Sequence, residues 1–163
     1  MSTPSIVRLT AFAFLLSIAA KGLAEDPQHL KSVLTGDGKA RASDNPLCKL
    51  FSAKEIGAYI GIAVKNGENA ALGSGCHWSD ANYQGAALIQ IVPAADAEIP
   101  SRAKGFRKAP ELGADGFAVP EMDGWGAGVT HGADFIRTRV SGPKASDAAA
   151  IELLKETLKR RGS

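Results

Sequence analysis

The histidines are the first residues to consider for chemistry, because imidazole binds metals and transfers protons near neutral pH. His29, His77 and His131 are far apart in the sequence, and no H-x-x-x-H, H-E-x-x-H or paired-cysteine spacing accompanies them. A metal site would require His77 and His131 to meet on neighbouring strands. The spacing therefore favours neither a metal site nor a cofactor.

A hydrolytic site needs a nucleophile, a general base and a group that orients the base. His131 and Asp134 supply a base and an acid close together in the sequence. No G-x-S-x-G elbow marks a nucleophilic serine. A small envelope hydrolase that uses His131 and Asp134 is therefore kept as an alternative function, and the leading interpretation assigns no catalytic residue.

Acidic residues and glycines lie close in sequence to Trp125, the tryptophan that could contact a partner. Asp115, Glu121 and Asp123 lack the spacing of a calcium loop, and the GWGAG run at 124–128 lacks the third glycine of a dinucleotide fingerprint. We interpret the acids as turn residues and the glycines as sites of tight turns or bulges. Trp125 has two interpretations: a core residue, or an anchor presented to a partner.

The N-terminus has the three parts of a secretory signal peptide. Arg8 supplies positive charge, an apolar run of 12 residues follows at 9–20, and the small residues Gly22 and Ala24 precede the predicted cleavage after Ala24. This run is shorter than the roughly 20 residues that span a bilayer. We predict a periplasmic or secreted protein without stable membrane insertion after signal cleavage; a retained anchor is the alternative.

Charge excludes one class of partner. The whole chain has 19 basic and 17 acidic residues, and Arg8 and Lys21 both lie in the predicted signal peptide. The mature chain is therefore electrically neutral and offers no electrostatic case for binding nucleic acid or an anionic membrane.

Cys48 and Cys76 are the two cysteines of the chain. In an oxidising compartment two cysteines without competitors usually pair, which predicts a structural disulfide. A redox pair and a nucleophilic thiol are the alternatives, although no C-x-x-C spacing supports the first.

The remaining pattern predicts an α+β fold, with a single antiparallel sheet of about five strands and two helices packed on it. A capping box at Ser52–Glu55 begins a short N-terminal helix that ends at Gly61, and Ser146 or Asp147 is expected to cap a longer C-terminal helix. The predicted organisation is a signal peptide at 1–24, a flexible leader at 25–45 and one disulfide-linked domain at 46–163. The strands are expected at 75–79, 86–92, 115–119, near 124–131 and at 135–140, with a short helix at 101–106.

Three segments together resemble a known family. PLCKLFSAKEI at 46–56 is similar to a P-C-x-L-hydroxyl-x-x-E opening, CHW at 76–78 to a C-x-W strand, and LGADGF at 112–117 to a later L-G-x-x-x-F/Y segment. This pattern resembles a family of small secreted bacterial proteins and lipoproteins that carry a domain of unknown function. The resemblance implies a disulfide-linked α+β envelope domain and assigns no catalytic residue. The chain departs from the lipoprotein pattern because no cysteine lies at the signal junction.

These observations together predict an exported envelope protein with a non-catalytic binding or interaction domain. Its partner would be an unknown envelope protein or a small ligand, with Trp125 as the possible contact. A purely structural envelope component is the other alternative.

Overall fold

The structure, a computed structural model, describes residues 45–162. The predicted signal peptide (1–24), the leader up to residue 44 and His29 lie outside the described residues. In this part of the chain, two α-helices flank seven β-strands: α1 (Ala53–Ile60), β1 (Glu68–Ala70), β2 (Gly75–Ser79), β3 (Ala86–Pro93), β4 (Arg107–Lys108), β5 (Phe117–Glu121), β6 (Gly124–His131), β7 (Asp134–Ser141) and α2 (Asp147–Arg161).

All seven strands form one antiparallel sheet with the order β1-β2-β3-β7-β6-β5-β4. The predicted fold class and the two flanking helices are confirmed, but the expected number of about five strands is wrong. The two missed strands, β1 and β4, lie at the sheet edges and have only three and two residues. Their polar sequences, ENA and RK, carry no apolar alternation that could mark a strand.

The helix ends follow the chemistry of their capping residues. Ser52 accepts a hydrogen bond from the Glu55 amide while the Glu55 carboxylate accepts one from the Ser52 amide, which completes the predicted capping box. Gly61 ends α1 in a left-handed conformation, with φ of 79°. Ser146 caps α2 by accepting a hydrogen bond from the Ala149 amide.

Both helices pack on the same face of the sheet, which we call the helix face. Strand residues such as Trp78, Ile89 and Ile136 meet Ile56 of α1 and Leu153 of α2 in one buried cluster. α2 lies across β5, β6 and β7, and the buried Thr138 hydroxyl donates a hydrogen bond to the Ala150 carbonyl of α2 over 2.8 Å. The opposite side, which we call the open face, carries no α-helix in the described residues.

The predicted disulfide joins Cys48 to Cys76, with a Cα–Cα distance of 5.2 Å. It links the 3₁₀ turn Pro46–Lys49 to β2. Trp78 is completely buried beside it, and an added Cβ on Gly67 would meet both the Cys76 sulfur and the Trp78 indole. Trp78 therefore packs next to the disulfide.

The expected strand at 115–119 and the expected helix at 101–106 need correction. Pro120 does not end β5, which continues to Glu121, because β4 pairs only with Phe117 and Ala118 and leaves β5 an edge strand at Pro120. The predicted helix at 101–106 is instead a series of turns, and Gly105 there has a φ of 81° that no helix accommodates.

Candidate functional site

The open face is covered over one half only. The segment that crosses from β3 to β4 (residues 94–106) brings Phe106 onto Phe117, with ring centroids 5.5 Å apart. Phe117 in turn stacks on Phe135 at 6.1 Å, and Phe117 and Phe135 are buried. The half of the open face formed by β2, β3 and the end of β7 near Ser141 has no such cover among the described residues.

Alternate glycines of β6 make room for long side chains of the neighbouring strands. A Cβ on Gly126 would lie 2.4 Å from a carboxylate oxygen of Glu121, and one on Gly128 would lie 2.7 Å from the ring of Phe117. Both glycines are paired inside β6 and neither has a positive φ. The interpretation of these glycines as turns or bulges is therefore wrong: they permit close approach across the sheet surface.

Glu121 lies over this glycine groove and binds two arginines of β7. Its carboxylate accepts a hydrogen bond from Arg137 through one oxygen and contacts Arg139 Nε at 3.0 Å through the other. The Glu121 side chain is 13% exposed, against 39% for Arg139. One carboxylate therefore faces two guanidinium groups, and this trio retains one net positive charge.

Arg139 also lines a cleft of about 240 Å³ at the uncovered end of the sheet, which we call the open-face cleft. The strand register places Leu88 between His77 and Arg139, so Leu88 forms the middle of the floor. The remaining lining comes from Ala86, Ala87 and Ser141 in the sheet and from Tyr83 and Asp123 in two hairpin turns.

His77 is half-buried at one side of the cleft. Burial lowers the pKa of its imidazole below the ordinary range, and Arg139 acts in the same direction, whereas the Glu68 carboxylate raises it. At neutral pH the ring is therefore uncharged and can both donate and accept a hydrogen bond.

Tyr83 stands at the rim of the cleft in an unusual conformation. It is 82% exposed and has a φ of 57°, a left-handed geometry that costs a residue with a side chain roughly 1–2 kcal/mol. The Asp80 carboxylate holds this turn by accepting hydrogen bonds from the amides of Asn82 and Gly85, each at 2.8 Å. Met122, in the turn that also carries Asp123, is 95% exposed.

The structure separates the other sequence-based candidates from this cleft. Trp125 is half-buried on the helix face and packs against the main core cluster, so its proposed contact with a partner stays a prediction. His131 is exposed at the far end of β6, and the Asp134 carboxylate accepts a hydrogen bond from Arg161 at 3.0 Å. The hydrolase alternative that depends on His131 and Asp134 gains no nucleophile from these contacts.

The same geometry removes the metal site considered for His77 and His131. These residues lie on β2 and β6, which are separated by β3 and β7 in the sheet. The register also places them on opposite faces. Between residues 45 and 162, no group of three or more His, Cys, Asp or Glu side chains is arranged to hold a metal ion.

The cleft itself contains no paired nucleophile and base. Ser141 accepts a hydrogen bond from the Ala86 amide at 3.0 Å, and its strand is two positions away from the strand of His77. Two strand spacings are roughly 9.5 Å, whereas a general base must reach its proton donor over about 3 Å. The arrangement suits binding better than acyl transfer.

A second depression, of about 460 Å³, lies beside α1 and is more open to solvent. Lys54 and Lys144 are the titratable residues of its lining, and the others are small or apolar: Ala53, Gly57, Gly61, Ile62, Ala63 and Val64. Because it offers fewer kinds of polar group, we regard the open-face cleft as the better candidate site.

In comparisons with known proteins, no family model matches the chain, and neither a curated protein nor a solved structure matches it. The resemblance to the secreted lipoprotein family therefore stays a prediction. Within residues 45–162, no helix is long and apolar enough to cross a membrane.

Proposed function

We propose that the protein is an exported bacterial envelope domain that binds, without converting it, a small ligand with an anionic group in the open-face cleft. The observation that carries this proposal is Arg139, a guanidinium that lies beside an apolar floor and shares a single carboxylate with a second arginine. A guanidinium binds carboxylate and phosphate groups well because it offers five N–H donors in a fixed plane. Glu121 engages Arg139 through Nε, which leaves donors for a ligand.

Export is supported by the signal-like N-terminus and by the disulfide, a bond that persists in oxidising compartments. Binding rather than catalysis is supported by the separation of Ser141 from His77, which lie two strands apart in the sheet. The exposed Tyr83 at the rim, held by Asp80, is typical of aromatic residues that contact ligands from loops.

The test is chemical-shift mapping of the isotope-labelled protein against a panel of small carboxylates, phosphate esters and amino acids. We expect at least one anionic compound to shift the resonances of Leu88 and Arg139. Arg139→Gln should remove this response, whereas Arg137→Gln should keep it. The two arginines share Glu121 and have similar exposure, 39% and 41%, but Arg137 does not line the cleft.

A second pair of variants tests the cleft rather than the charge. Leu88→Trp fills the floor of the cleft and should abolish binding, while Leu72→Trp makes the same exchange at an exposed site outside it. The proposal fails if no compound shifts the cleft resonances. It also fails if every compound that does so binds Leu88→Trp as well as it binds the unaltered protein.

A further inference from the structure

We propose that the ligand of the open-face cleft is a small zwitterion, such as a free amino acid or a dipeptide, with its carboxylate on Arg139 and its ammonium on Asp123. This inference rests on the proposed function and names the class of ligand. It follows from two opposite charges, those of Arg139 and Asp123, that line the same cleft without contacting each other.

Arg139 and Asp123 line the same cleft of about 240 Å³. Among the described residues no ion pair within 4.0 Å joins them, and the partner of Arg139 is Glu121. Asp123 is exposed in the turn between β5 and β6. A positive and a negative group that share a cleft but do not touch leave room for a ligand with the opposite charges.

A ligand with only one charge fits this site less well. A simple carboxylate bound to Arg139 would bring a second negative group toward Asp123, and like charges at short range repel each other. A simple amine would bind Asp123 but leave the guanidinium of Arg139 without a second anionic partner. A zwitterion satisfies both groups and adds no net charge to the cleft.

The rest of the lining fits the apolar part of such a ligand. Leu88 and Ala86 provide an apolar floor, and the uncharged His77 provides hydrogen bonds without a third charge. The volume is below the roughly 300–1,000 Å³ of pockets for drug-sized ligands, which favours a compact molecule. Tyr83 at the rim can cover the side chain of the ligand.

The test is a calorimetric titration of the purified protein with the twenty amino acids and with glycyl-leucine. The compound that binds most tightly is then compared with its desamino acid and with its amide; for leucine these are 4-methylpentanoate and leucinamide. We expect each derivative to bind at least about tenfold more weakly, since each loses a charge-assisted hydrogen bond.

Variants assign the two charges separately. Asp123→Asn should weaken the binding of the zwitterion about tenfold or more and leave the desamino acid unaffected, whereas Arg139→Gln should weaken both. Asp96→Asn, at an exposed acid outside this cleft, serves as the control and should change neither. The backbone amide spectrum of each variant shows whether the fold is retained.

Failure of this inference differs from failure of the proposed function. If no zwitterion binds, or if the desamino acid binds as tightly as the parent, the assignment of a zwitterionic ligand is overturned. The proposed function survives that result when a simple carboxylate or phosphate ester still shifts the Leu88 and Arg139 resonances. If none does, both proposals fall.

Discussion

Removal of the Cys48–Cys76 disulfide should cost the domain a large part of its stability. The two residues are 28 positions apart, so the bond closes a loop of 29 residues in the unfolded chain. The loop-closure entropy of a loop of this size corresponds to about 3.6 kcal/mol at 25 °C. For a domain of about 120 residues, a loss of this size lowers the midpoint of thermal unfolding by about 14 °C.

Calorimetry of three samples separates chain entropy from packing: the oxidised protein, the same protein under a reductant, and the double variant Cys48→Ala/Cys76→Ala. The reduced protein keeps both sulfur atoms, so its loss of stability reports the removal of the covalent constraint on the unfolded chain. Cys76 is completely buried, and the double variant should therefore be somewhat less stable than the reduced protein.

A shift below about 4 °C in both the reduced protein and the double variant would contradict this reasoning, because it corresponds to only about 1 kcal/mol. A small shift on reduction with a large one in the double variant would assign the stabilisation to packing around Cys76 and Trp78. We expect the opposite pattern, in which reduction accounts for most of the loss.

Three further results are expected. Arg160 donates a hydrogen bond to Glu55 and lowers the pKa of the Glu55 carboxyl from 4.5 to about 2. The stability that this interaction provides above pH 4.5 should therefore be lost as the pH falls toward 2. Glu55→Gln should flatten this part of a series of thermal midpoints measured against pH. Tyr83→Gly should change the unfolding free energy by no more than about 1 kcal/mol, because relief of the left-handed strain offsets the added chain entropy, yet it should weaken ligand binding in a calorimetric titration. Leu153→Ala, at a fully buried position of α2, should lower the free energy of unfolding by about 2–5 kcal/mol, as measured by urea unfolding. Glu152→Ala, on the exposed side of the same helix, should change it by no more than about 0.5 kcal/mol.

The parts of the fold that could be predicted from sequence depend on contacts between residues close in the chain. The capping box joins residues three apart, and Ser146 caps α2 across the same distance. β2 begins and ends where it was expected, because its apolar residues alternate between turn residues. The short strands β1 and β4 could not be found this way, since pairing with a longer neighbour alone makes them strands.

The open-face cleft could not be predicted because its residues come from four separate parts of the chain. Arg139 was visible only as a polar position in an alternating strand, and nothing in the sequence connects it to Glu121 across β6. One signal did exist. The alternate glycines at 124, 126 and 128 indicate a strand whose neighbours need space on one face, and long residues opposite them are candidates for a surface cluster.

The path of the crossing segment explains why one arginine and not the other faces a ligand. Arg137 lines a separate depression with Asp96 and Glu98, two carboxylates that the segment at 94–106 brings to the covered half of the open face. Arg137 therefore has two further carboxylates in its surroundings besides Glu121, although no ion pair within 4.0 Å joins it to either among the described residues. Arg139 lies two residues further along β7, beyond the part of the open face that the segment at 94–106 covers. Asp123 is the acidic residue that lines its cleft. Both arginines share Glu121, but Arg137 has two further carboxylates in its depression and Arg139 has one in its cleft, so we expect a ligand's anionic group to be attracted more strongly to Arg139 than to Arg137.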